Sequence, residues 1–133
     1  MGKREDLRLQ KYNIGVNAYR ELLYFCRQYA EKKSQLALLR DISAAAYDGM
    51  PRSGKVSTPT EDRAIRAAQL ERDCEMIERA ANEADPALAK YLLLNVTQDR
   101  LPYEYLNVPA GRRNFYEKRR RFFYCLAKEK GMI

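Results

Sequence analysis

The residues with the most chemical potential lie between positions 112 and 128. Read at about 100° per residue, Phe115, Phe122, Phe123 and Leu126 share one side of a helix, with Tyr116 at its edge. The other side carries Arg113, Asn114, Glu117, Arg120, Arg121, Tyr124 and Lys128. A helix anchored by phenylalanines that presents arginines and an asparagine suits the major groove of duplex DNA. Arginine pairs bidentately with guanine and asparagine with adenine, while further cations hold phosphates. In this reading Arg113, Asn114 and Glu117 face bases, and Lys118, Arg120, Arg121 and Lys128 hold the backbone.

The remaining candidates are weaker. The chain has no histidine, which removes Ser-His-Asp and Cys-His nucleophilic schemes and His-bearing zinc sites. Cys26, Cys74 and Cys125 form no CxxC pair and have apolar neighbours at helical spacing. They are expected as buried thiols, with neither a disulfide framework nor a metal. Gly49-Met50-Pro51-Arg52-Ser53-Gly54-Lys55 matches most of a phosphate-binding Walker loop, but Val56 stands where the magnesium ligand belongs and no apolar strand precedes it. The carboxylates Glu71, Asp73, Glu75, Glu78 and Glu83 are interleaved with arginines, as on a solvated helix face. No enzyme is expected, and no cofactor.

Charge is distributed unevenly. The 133 residues carry a net charge of +7. Residues 1–59 hold 11 basic and 6 acidic side chains, residues 60–100 hold 6 and 9, and residues 101–133 hold 8 and 3. A basic terminal segment beside an acidic middle fits a nucleic-acid-facing end, because phosphate attraction rewards clustered cations. With 46% hydrophobic and 32% charged residues, the chain is too apolar for disorder and too charged for a membrane span. The opening Met1-Gly2-Lys3-Arg4-Glu5-Asp6 has no apolar stretch behind it, so a soluble, cytoplasmic protein is expected.

The elements that must position these residues are helical throughout. Tyr12, Val16, Tyr19, Leu23, Cys26 and Ala30 recur at steps of four and three, predicting a long N-terminal helix that ends at Asp48-Gly49 or breaks near Lys33-Ser34. Leu22, Phe25, Tyr29 and Leu36 broaden its apolar face, which asks for a second neighbour: the middle helices, or another copy of the chain in a homodimer built on residues 12–36. Residues 49–58 read as a basic loop. Thr58 as N-cap, Pro59 and Glu61 open a middle helix whose seam is Ala67, Leu70, Cys74, Ile77, Ala81 and Ala84. Asp85-Pro86 starts another helix, with Leu88, Tyr91, Leu92 and Val96. Over 101–133, a short turn at Pro102–Leu106, a tight connection at 107–111 and a final helix sketch a helix-turn-helix-like unit. The expectation is a single all-α domain, with helices across 1–48 and 59–100 and the helix-turn-helix-like unit at 101–133.

Three stretches carry a family resemblance: Met50-Pro51-Arg52-Ser53-Gly54, Thr58-Pro59-Thr60, and Asn107-Val108-Pro109-Ala110-Gly111-Arg112-Arg113-Asn114-Phe115-Tyr116. Together with the long amphipathic helix before them, they make the chain resemble late-gene transcriptional regulators of Gram-positive prophages, of the RinA/ArpU type. The resemblance implies a C-terminal unit like the promoter-reading helix-turn-helix of sigma factors. It places Arg112, Arg113, Asn114 and Tyr116 near the start of the recognition helix, with either Pro102–Leu106 or the preceding 92–100 segment as the first motif helix. Duplex DNA is the expected partner, with RNA polymerase and a second copy of the chain as further candidates. The competing reading is a helical interaction or assembly protein, such as a phage packaging or host-takeover factor, whose basic face meets a protein.

Overall fold

A computed structural model describes residues 9–46 and 59–133, and every regular element among them is helical. The expected loop 49–58, its Walker-like run, the Thr58 cap and the Asp48-Gly49 helix end lie outside the described residues. In chain order come a 3-10 turn at Gln10–Tyr12, then α1 (Val16–Arg27), α2 (Tyr29–Ala46), α3 (Pro59–Ala84) and α4 (Ala89–Thr97). A second 3-10 turn at Tyr103–Tyr105 precedes α5 (Arg112–Glu129). No helix among the described residues is long and apolar enough to cross a membrane.

The long N-terminal helix begins at Val16 rather than Tyr12, which lies in the preceding 3-10 turn, and it is interrupted at Gln28 rather than near Lys33. There the amide donates to Phe25 O at 3.3 Å, an i→i−3 closure that tightens the turn between α1 and α2. The chain falls into two compact units, residues 1–28 with 76–133 and residues 29–75. In the smaller unit Leu36, Leu70 and Cys74 are buried. Its polar links include Lys32 Nζ to Asp73 Oδ2 at 2.9 Å, Arg40 to Glu71 at 2.7 Å and Arg66 to Gln35 Oε1 at 3.3 Å.

The larger unit holds the aromatic core. Phe115, Phe122, Phe123 and Leu126 on α5 are fully buried, with Leu22 and Cys26 on α1, Ile77 on α3, and Leu92 and Val96 on α4. The α3 seam read from the sequence is buried from Leu70 to Ala84; small residues there permit close helix approach. Asp85 starts the next turn as expected: its Oδ1 accepts the amides of Ala87 (2.9 Å) and Leu88 (3.3 Å) before α4 begins at Ala89.

The segment between α4 and α5 is held by its own side chains. Asn95 Nδ2 donates to Leu101 O at 2.8 Å, and Tyr103 Oη donates to Ala110 O at 2.6 Å. Arg100 (φ 62°) and Asn107 (φ 52°) take left-handed conformations that turn the chain. Pro102–Leu106 forms only a single 3-10 turn, so of the two alternatives for a first motif helix, α4 is the one that is α-helical. It ends at Thr97, and residues 98–111 separate it from α5, a longer connection than the three to four residues of a standard helix-turn-helix. At the far end, α5 closes on Gly131 (φ 73°). Its amide reaches Lys128 O at 3.0 Å and that of Met132 reaches Ala127 O at 2.8 Å, a Schellman cap.

Candidate nucleic-acid interface

Helix α5 has the two sides its sequence predicts. Arg113, Asn114, Arg121 and Lys128 are exposed on one of them, and the phenylalanines are buried on the other. From Arg113 to Lys128 the exposed stripe runs about 22 Å along the helix axis. That exceeds the roughly 12 Å width of a major groove, so the stripe is long enough for one end to lie in a groove while the rest reaches flanking phosphates.

The stripe is bounded by a segment whose sequence gave no hint of it. The N-terminal 3-10 turn lies along α5: the Tyr12 ring stacks on Tyr124 with centroids 4.9 Å apart, and Lys11 ion-pairs with Glu117. Arg120 approaches the same carboxylate from within α5, at 2.6 Å. The Lys11 hydrogen bond, and then that of Arg120, hold the Glu117 carboxyl below the usual carboxylate range, while Glu117 pushes the Lys11 ammonium above its own. Two cations thus share this one carboxylate, an excess of one positive charge in the cluster.

This arrangement corrects part of the expected site. Glu117 is occupied by Lys11 and Arg120 rather than held ready for a base. Tyr116 is only 8% exposed: it packs edge-on against Phe115, with the Arg112 guanidinium 4.7 Å above its ring. Its position one turn after Arg112 puts it on the core side of the helix, so it presents nothing to a groove. Arg112 also hydrogen-bonds Glu104 at 3.3 Å, and Lys118 lies 3.8 Å from Asp85, both drawn to the margins of the stripe. Tyr124 is half-buried between Tyr12 and Lys128, whose ammonium sits 5.2 Å from its ring centroid.

Two groups went unnoticed in the sequence. Lys11 belongs to the basic face although 106 positions separate it from Glu117. Arg119 is buried at 6% exposure, and position 119 falls among Phe115, Phe122 and Phe123 on the helical wheel, a signal that the sequence does contain. All three cysteines are buried thiols, and no group of three or more His, Cys, Asp or Glu side chains among the described residues could hold a metal ion. No family model, curated protein or solved structure matches the chain.

Proposed function

We propose that the chain is a duplex-DNA-binding transcription regulator of the prophage type, docking through the outer face of α5. The observation that carries this reading is the exposed set Arg113, Asn114, Arg121 and Lys128 along one side of α5, beside the Glu117 carboxylate paired with both Lys11 and Arg120. Arg113 and Asn114, in the first turn of the helix, are the base-reading pair. Arg121 and Lys128, two and four turns on, hold phosphates together with Lys11 and Arg120. A second copy of the chain belongs to this reading, because two half-sites add the affinity that one short helix lacks. Of the broad apolar face on α1, Val16 (61% exposed) remains at the surface for it, as does Tyr24 (65%) two turns further along the helix.

A salt titration tests the reading. Affinity for duplex DNA should fall steeply between low and moderate salt, and the triple replacement Arg113→Ala, Arg121→Ala, Lys128→Ala should flatten the slope by about two, one for each phosphate-holding cation removed. Equal slopes in the two proteins would overturn it. Salt-insensitive capture of a protein partner through the same face would favour an assembly role instead.

A further inference from the structure

Buried cations are ordinarily matched by a carboxylate, since an uncompensated charge in a protein interior is costly. Arg119 has none. Its Nε donates to Asn95 Oδ1 at 2.6 Å, and its two terminal nitrogens each lie 3.3 Å from Tyr19 Oη. Its guanidinium carbon stands 5.9 Å from the Tyr19 ring centroid and 5.0 Å from that of Phe123. These neutral partners engage three of the five N–H donors and leave the positive charge unmatched.

Arg119 does not stand alone. It lines a cleft of about 340 Å³ that also contains Arg27 and Arg100. Arg27 is steered by its Nε bond to Val96 O at 3.1 Å and by Asp99 at 2.9 Å, and that contact holds the Asp99 carboxyl below its usual range. Arg100 is exposed at the rim and has no ion pair among the described residues. Its backbone is left-handed, a conformation costly for a residue other than glycine or asparagine. Three guanidinium groups against one carboxylate, itself 80% exposed, leave an excess of two positive charges.

We propose that this cleft is a binding site for a small phosphate-bearing molecule, with Arg119 as its buried floor and Arg27 and Arg100 as its rim. A phosphate dianion matches that excess charge and the planar donor geometry of guanidinium, where a single carboxylate would leave one charge over. The site is separate from the DNA-facing stripe. Arg119 lies about half a turn around α5 from Arg121 and Lys128, so a duplex lying on that stripe cannot fill the cleft. The phosphate is that of a free small molecule, and Arg119 ties it to the core that supports α5.

The experiment uses the full chain and inorganic phosphate at constant ionic strength, read by thermal denaturation and isothermal titration calorimetry. Phosphate should raise Tm saturably, where chloride does not. Arg100→Gly should abolish that response while itself raising Tm, because glycine relieves the left-handed strain as the rim cation is lost. Arg27→Gln should weaken phosphate binding by about tenfold. Arg113→Ala with Arg121→Ala should leave it unchanged, which separates this site from the DNA face. A nucleoside 5′-monophosphate should bind at least as tightly as inorganic phosphate and compete with it. An unphosphorylated short duplex should not compete; competition by that duplex would assign the cleft to the DNA backbone and overturn the proposal. It is also overturned by the absence of a saturable response, or by a response that survives in Arg100→Gly or disappears with the α5 stripe.

Discussion

The two sides of α5 use the same residue type in opposite ways. On the outer side, Arg113 and Arg121 are solvated and interchangeable as far as the fold is concerned, and Arg120 shares Glu117 with Lys11. On the inner side, Arg119 is enclosed by Asn95, Tyr19 and Phe123, and the fold is built around it. Arg119 and Arg121 are two positions apart in sequence, yet one is part of the interior and the other of the surface, while Arg120 between them is only 14% exposed. Composition counts them alike. Their cost on removal should differ sharply, because an exposed charge loses little on deletion whereas a buried one leaves its partners unsatisfied.

The largest effect belongs to the inner side. Phe122→Ala should destabilise by about 3–5 kcal/mol, since the ring is fully buried and the space it leaves cannot collapse completely. Urea unfolding measures this, and a loss below 1 kcal/mol would mean that α5 is not the core helix described. Arg119→Ala comes next, at about 2 kcal/mol, from leaving Asn95 Oδ1 and Tyr19 Oη without their donor and removing the packed stem. A neutral result in the same assay would erase the contrast between the two sides. Arg113→Ala and Arg121→Ala, singly or together, should change stability by less than about 0.5 kcal/mol, all their effect falling on DNA affinity.

The smallest effect is the Glu117 cluster. Its carboxyl is held below the ordinary value of 4.5, so its contribution is complete above that pH and is lost as pH falls through the lowered value of the folded state. The Lys11 ammonium behaves in the mirror sense: its contribution is complete below 10.5 and lost as pH rises through its raised folded value. Because both groups are well exposed, Glu117→Gln should cost no more than about 0.5 kcal/mol at neutral pH and nothing in strong acid. A stability difference that persists unchanged down to strong acid would show that the effect does not come from the charge.

Periodicity made the helices and most of the core legible. The α3 seam, the α5 phenylalanines and the Asp85 turn are local patterns, and local geometry decides them. The Gln28 interruption was not legible, because no proline or glycine marks it and the hydrophobic stripe runs straight through. On the site, the wheel separated the exposed cations from the buried rings and set Tyr116 at the edge of the buried side; it was the family resemblance that carried Tyr116 to the recognition face. Lys11 could not be found at all, since its place on α5 depends on a chain reversal over more than a hundred residues. Arg119 could have been, as a charged residue inside an apolar arc.

The buried thiols have a practical consequence. Cys26 and Cys125 lie in the larger unit and Cys74 in the smaller, and all three are buried. Burial, reinforced by the nearby Glu83 charge, pushes the Cys125 thiol up, so little reactive thiolate is present at neutral pH. A thiol reagent can modify any of the three only during a transient opening that exposes it, and the modification rate then counts those openings. The chain thus carries three internal clocks. If Cys74 is labelled well before Cys26 and Cys125, the smaller unit breathes while the larger stays shut. Labelling of all three at one rate would show that they are exposed only when the whole molecule unfolds.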